Sequence, residues 1–124
     1  MKKYLIIIVS LSFSLILYIF SESSNSLINK KVDIVSSDLT TLQNIIEIYK
    51  EKYKQYPSAN NVFKELISKK LIGRKPKDPW GTPYHYMLID ETKYDLYSFG
   101  ENKLDDNGSG DDVTQSKGHI WTPP

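Results

Sequence analysis

The apolar positions of this chain change their spacing as the sequence runs. Tyr4 to Phe20 is a stretch of 17 residues without a charge, broken only by Ser10, Ser12 and Ser14 and by its two tyrosines. From Leu27 to Tyr53 the apolar residues recur every three or four positions: Val32, Val35, Leu39, Leu42, Ile45 or Ile46, Tyr49 and Tyr53. That spacing predicts an amphipathic helix. Lys31, Asp33, Ser36, Asp38, Gln43, Glu47 and Lys50 fill its other face, and no Pro or Gly interrupts it. Only Ser21 to Asn25 weakens helix propensity between the two segments. A nearly continuous helix of about 75 Å is the expectation.

Beyond Tyr53 the punctuation is denser. Pro57 forces Tyr56 out of the helical region, so Tyr56-Pro57-Ser58 stops the long helix. Ser58 or Asn60 then caps a second helix over roughly Asn60 to Leu71, with Val62, Phe63, Leu66 and Ile67 inward and Gly73 as its C′ residue. Arg74 to Pro83 reads as loop and turn. Two prolines and a glycine around Trp80 make that turn rigid. Tyr84 to Ile89 and Tyr94 to Phe99 read as a hairpin turning at Asp90-Glu91-Thr92-Lys93. From Gly100 to Gly118 apolar residues are too few for regular structure, and Ile120 and Trp121 are expected to pin the end of the chain to the core. The fold class is α+β: a long N-terminal helix packed on a small antiparallel sheet.

Length and charge narrow the classes. The 124 residues suit one small domain, 25–124, behind an anchor or signal segment, 1–24. The formal net charge is +1, and without Lys2 and Lys3 the remaining 14 basic and 15 acidic residues leave −1. No basic footprint for nucleic acid is present. The absence of cysteine removes disulfides, thiolate metal sites and cysteine catalysis. Lys2 and Lys3 before the apolar run read as a cytoplasmic flank, with the rest of the chain carried across an inner membrane into the periplasm. The run spans about 25 Å as a helix, against a hydrocarbon core of about 30 Å. It is longer than the 7–15 residues or so of a secretory signal core, although Ser21-Glu22-Ser23 and Ser24-Asn25-Ser26 offer small-residue cleavage points. A retained single-pass anchor is expected, with a cleaved signal as the alternative.

Chemistry concentrates in one place. Asn102, Asp105, Asp106, Asn107, Asp111 and Asp112 lie within eleven positions, with Gly108 and Gly110 between them. Asp, Asn and backbone carbonyls are the oxygen donors that calcium takes in groups of six to eight or so, and glycines let a chain curl around an ion. Such a loop repels itself unless a cation sits inside it. It is not an EF-hand: counting from Asp105, the twelfth position is Ser116 rather than Glu. The alternative is a solvated acidic tip. His85 and His119 stand without a nucleophile elbow, a His-x-x-x-His pair or a phosphate loop, so both read as structural. Core and turn packing explains most of the set formed by Trp80 and the nine tyrosines, with a sugar or peptide platform as the alternative. Lys69, Lys70, Arg74, Lys75 and Lys77 compensate a helix end, or meet a membrane surface or a partner.

The order of motifs is distinctive: Tyr56-Pro57, then Asp78-Pro79-Trp80-Gly81-Thr82-Pro83-Tyr84, then Tyr94-Asp95-Leu96-Tyr97-Ser98-Phe99-Gly100, then Asp111-Asp112-Val113, and Trp121. With the helix before it, this order resembles the major (G-type) pseudopilins of bacterial type II secretion, over roughly Val35 to Trp121. The resemblance implies a non-enzymatic subunit that assembles with other pseudopilins and the secretion machinery at the inner membrane, with no nucleic acid and no small-molecule substrate. It also implies calcium bound at Asn102 and at Asp112 or Asp111, with the Phe99 carbonyl as a third ligand, and Asp105 or Asp106 making up for the neutral Asn102 where the family usually has Asp. One departure stands out. After Lys3 the chain runs Tyr4-Leu5-Ile6, without the Gly-Phe-Thr-Leu-x-Glu junction of prepilin-like proteins, and its first acid is Glu22. The alternative expectation is therefore a free-standing exported or anchored calcium-binding module on the same fold.

Overall fold

The computed structural model describes the backbone of residues 2–114 and the side chains from Ser12 onward. His119, Ile120 and Trp121 lie outside the described residues, as do the side chains of Tyr4 to Leu11. The first element is helix α1, Lys2–Tyr53. It is shared between two compact units, Met1–Val32 and Asp33–Pro124.

In the first unit Phe13, Leu15, Ile16, Leu17, Tyr18, Ile19 and Phe20 are all exposed. Short-range bonds tighten it: Tyr18 donates to Glu22 at 2.7 Å and Ser24 to the Phe20 carbonyl at 3.0 Å. Among the described residues no helix is long and apolar enough to cross a membrane. Eight of the 17 side chains of the uncharged run are not among those residues.

The second unit holds the rest of α1, then α2 (Val62–Ser68), β1 (His85–Asp90), β2 (Lys93–Ser98) and β3 (Val113–Thr114). The strands form one antiparallel sheet in the order β1-β2-β3. Val35, Leu39, Leu42, Ile46 and Tyr49 of α1 are buried at alternating steps of four and three, as the periodicity requires. They meet Val62, Phe63 and Leu66 of α2, Tyr84 just before β1, and the inward sheet residues Tyr86 and Leu96. Tyr86 and Leu96 are cross-strand partners, which is why both point to the core. Polar tips of the core tyrosines are all used. Tyr84 donates to Asp38 Oδ2 at 2.7 Å across 46 residues, and Tyr86 to the Pro57 carbonyl at 3.0 Å. Burial pushes both phenols well above their usual range, helped by Asp38 at Tyr84 and by Tyr56, Glu65 and Glu47 around Tyr86.

Several boundaries differ from the sequence expectation. α1 ends at Tyr53 as its spacing predicts, but the stop is made before Pro57: Lys54 turns left-handed at φ 62° and its N–H closes on the Lys50 carbonyl at 2.7 Å. α2 is shorter than Asn60 to Leu71, and its Asn61 cap makes no side-chain bond. Ser58 instead binds Glu65 through both its N–H and its hydroxyl, at 3.3 and 2.6 Å. Lys70, at φ 58°, takes the C′ position expected of Gly73. A left-handed lysine costs roughly 1 kcal/mol more than glycine there. Ile67 is exposed, because the shorter helix turns only Val62, Phe63 and Leu66 inward. The hairpin turn is two residues tighter, since Asp90 and Lys93 pair with each other. Finally, the acidic segment is not wholly irregular: Val113 and Thr114 pair with Ser98 and Tyr97 as β3.

Candidate metal centre

The acidic loop hangs between β2 and β3, and its base is fixed by the turn before β1. Asp78 is buried and accepts from three donors: the N–H of Trp80 at 3.0 Å and of Thr82 at 2.8 Å on Oδ1, and the Ser98 hydroxyl at 2.6 Å on Oδ2. Proline at 79 and 83 and glycine at 81, with φ 87°, let so short a segment wrap its own carboxylate. Ser98 Oγ in turn accepts the Gly100 N–H at 3.1 Å. The Asp-Pro-Trp-Gly-Thr-Pro turn thus holds the strand end from which the loop departs.

Gly100 sets the loop's direction. Its φ is 66°, and a Cβ there would collide with the carbonyl of Asp111. Only glycine allows the outgoing and returning backbones to pass this closely. Asn102 then gathers the loop. Its N–H donates to Asp111 Oδ2 at 2.8 Å, its Nδ2 to Asp106 Oδ2 at 2.9 Å, and its Oδ1 accepts from Leu104 N–H at 2.6 Å. Asp112 Oδ2 accepts the N–H groups of Asp106 at 3.1 Å and Gly108 at 2.8 Å. Gly110, at φ 57°, gives Asp106 its space.

The structure therefore brings Asn102, Asp111 and Asp112 into one network. It draws Asp105 aside: its Oδ1 accepts the Tyr97 hydroxyl at 2.8 Å and the Asn107 N–H at 3.0 Å. Phe99 starts the loop with its ring near His85 and Tyr97, at centroid distances of 5.3 and 5.8 Å. This aromatic trio explains His85 as a packing residue. Asp106 links Asn102 to Asp112 and belongs to the centre as much as Asp105 does. Its adjacency to Asp105 hid which of the two turns inward; Gly110, four residues on, is the signal that its side chain needs room.

One atom is left over. Asp112 Oδ1 is buried and has no hydrogen-bond partner among the described residues. Burial raises the Asp112 pKa, and the charges of Asp106 and Asp105 raise it further, against the lowering effect of its two backbone bonds. Among the described residues no group of three or more His, Cys, Asp or Glu is arranged to hold a metal. Calcium also takes backbone carbonyl and side-chain amide oxygens, which such a group of acids does not count. An unpaired carboxylate oxygen inside a negatively charged, oxygen-rich loop fits a hard cation. It fits neither a soft metal nor an organic cofactor.

The comparison with known proteins agrees with the motif order. Residues 24–116 match the family described as type II secretion system (T2SS), protein G. The chain is similar to the type II secretion system core protein G of Pectobacterium carotovorum subsp. carotovorum, with 30% identity over 91 residues, 62% of this chain and 57% of that one. Against the protein of the same name from Aeromonas hydrophila the identity is 30% over 92 residues, covering 62% of each chain. Against that from Pseudomonas aeruginosa it is 31% over 96 residues, 65% of this chain and 67% of that one. The aligned part thus spans about three fifths of the length of the first two relatives.

Proposed function

Since the chain belongs to the protein G family of the type II secretion system, we propose that it is a structural subunit of that assembly, a major pseudopilin, and not an enzyme. The observation that carries this reading is the coincidence of the matched region, 24–116, with a long helix laid on a three-stranded antiparallel sheet. In this reading its partners are further copies of the chain and the other components of the secretion machinery. The uncharged run from Tyr4 to Phe20, behind Lys2 and Lys3, anchors the chain as a single pass in the inner membrane, and the second unit lies on the periplasmic side.

Calcium is the ion we assign to the acidic loop, and the unpartnered Asp112 Oδ1 supports it. Asp112, Asp111 and Asn102 would hold the ion, with Asp106 beside them and the Phe99 carbonyl within the same loop. A bound divalent cation supplies charge neutralisation, which fixes the loop and the short strand β3 that closes it.

The test is genetic and biochemical. Deleting the chain in its source bacterium should leave secreted proteins inside the envelope, and the full chain supplied in trans should return them to the medium. Unaltered secretion in the deletion strain overturns the reading and leaves a free-standing exported module.

A further inference from the structure

Charge in the second unit is segregated along the chain. Between Lys50 and Lys77 nine basic residues stand against two acids, Glu51 and Glu65. Between Asp90 and Asp112 eight acids stand against two lysines, Lys93 and Lys103. The fold turns this into two poles. Lys52, from the last turn of α1, and Lys69, from the end of α2, place their Nζ atoms 5.6 and 4.8 Å from the same ring, that of Tyr53. Lys50 lies 4.0 Å over the neighbouring Tyr56 ring. Lys54 and Lys70 leave the two helices in the left-handed region, where glycine or asparagine is usual. Both are exposed.

One cation per helix end would balance the helix dipoles. Five lysines at two adjoining ends exceed that need, and two of them occupy strained positions to be there. Of the acids beside them, Glu65 is engaged by Ser58 and Tyr49 and Glu47 by Tyr56 and Tyr94, while Glu51 lies between Lys50 and Lys52 and leaves the patch basic on balance.

The opposite pole is the acidic loop. β2 begins at the basic end, where Tyr94 packs on Tyr56 at 4.9 Å, and ends at Ser98, where the loop departs. About 17 Å of extended strand separates Tyr94 from Phe99. The loop from Glu101 to Asp112 carries five acids and one lysine, a net charge of −4, and a bound divalent cation would leave −2. It therefore stays acidic with or without its ion.

We infer that the lysine face around Tyr53 docks the acidic loop of a second copy of this chain. The two patches differ and lie at opposite ends, so the contact is head-to-tail and leaves a free patch at each end of any stack. Complementary charge speeds and orients such an encounter. The inference rests on the reading of the chain as an assembling subunit and names the surface through which its heads meet.

Zero-length carbodiimide cross-linking of the full chain in detergent tests it, with unlabelled and ¹⁵N-labelled copies mixed so that inter-copy links are recognised by mass. The expected links join Lys52, Lys54, Lys69 or Lys70 of one copy to Glu101, Asp105, Asp106 or Asp111 of the other. They should vanish at about 1 M salt, where the screening length is about 3 Å. In K69E/K70E the links from the untouched Lys52 and Lys54 should vanish too. Mixing K69E/K70E with E101K should restore some of them, since each then supplies the sign the other lacks. Three results would overturn the inference: no inter-copy link between these patches in the native chain; links from Lys52 and Lys54 that survive K69E/K70E; or lysines that bind only anionic lipid vesicles. Secretion by the deletion strain is a separate readout. Restored secretion without these links defeats this inference alone, whereas unaltered secretion in the deletion strain defeats the proposed function.

Discussion

Ser98 gives its hydroxyl hydrogen to Asp78 Oδ2 at 2.6 Å, and both residues are buried. The bond joins the rigid turn to the end of β2, and the acidic loop hangs from that junction. Asp78 also holds two N–H groups of its own turn. Replacing it by Ala leaves three donors without their acceptor, the buried Ser98 hydroxyl and two half-buried N–H groups. Asp78→Ala should therefore cost about 3 kcal/mol or more, and Ser98→Ala about 1–3 kcal/mol. Urea unfolding is the measurement, read as a lower midpoint at unchanged slope. Losses within about 0.5 kcal/mol, typical of a neutral surface site, would show that the junction does not hold the fold.

Gly100 and Gly73 make a paired experiment. Alanine at Gly100 must adopt a left-handed backbone and must push its Cβ against the Asp111 carbonyl. The conformation alone costs roughly 1–2 kcal/mol, and the collision adds to it. Gly73 has open space around it and no positive φ. Gly73→Ala should change stability by no more than about 0.5 kcal/mol. Equal effects at the two sites would mean that the close passage at Gly100 is not needed.

The parts of the fold that were legible in the sequence are those set by periodicity. Val35, Leu39, Leu42, Ile46 and Tyr49 fell on one face by spacing alone, and the hairpin followed from alternation and a polar turn. What periodicity leaves open is how a helix ends. Gly73 was the expected C′ residue because glycine is the cheap left-handed residue, yet Lys70 takes that place. Tertiary packing of Leu66 and of Leu71 behind it decided the end of α2. Strand β3 was hidden for a related reason: two residues, Val113 and Thr114, carry no period, and only their partners on β2 make them a strand. In the loop, residue types announced an oxygen-rich site. They did not tell Asp105, which turns to Tyr97, from Asp106, which turns inward.

Acid should find Glu65 early. Burial opposes its charge, but the hydrogen bonds from Ser58 and Tyr49 outweigh burial and hold its pKa below the ordinary 4.5. A lowered carboxylate pKa stabilises the fold above the unfolded value and loses that contribution as pH falls through the folded value. The stability curve should thus drop below about pH 4.5, and Glu65→Gln should flatten that limb while lowering the neutral plateau. Urea midpoints taken from pH 3 to 7 would show it. An acid limb unchanged by Glu65→Gln would place the loss elsewhere.

Asp112 has the opposite sign. Its raised pKa means that the folded chain holds this proton more tightly than the unfolded chain does. The stabilisation is full below the ordinary value of 3.8 and is lost as pH rises through the folded value, so at neutral pH the ion-free loop carries an uncompensated charge. A cation at Oδ1 removes that penalty. Calcium at about 100 times its dissociation constant should then raise stability by about 2.7 kcal/mol. Asp112→Asn keeps the shape and removes the charge. It should leave the calcium-free protein as stable as before, or more so, and abolish the gain from calcium. Because proton and ion compete for one carboxylate, calcium affinity should weaken as pH is lowered toward the raised pKa. Calorimetric titration of the native chain and of Asp112→Asn at two pH values separates these effects. Native protein whose melting is indifferent to calcium would show that the buried oxygen marks strain in the loop rather than a place for an ion.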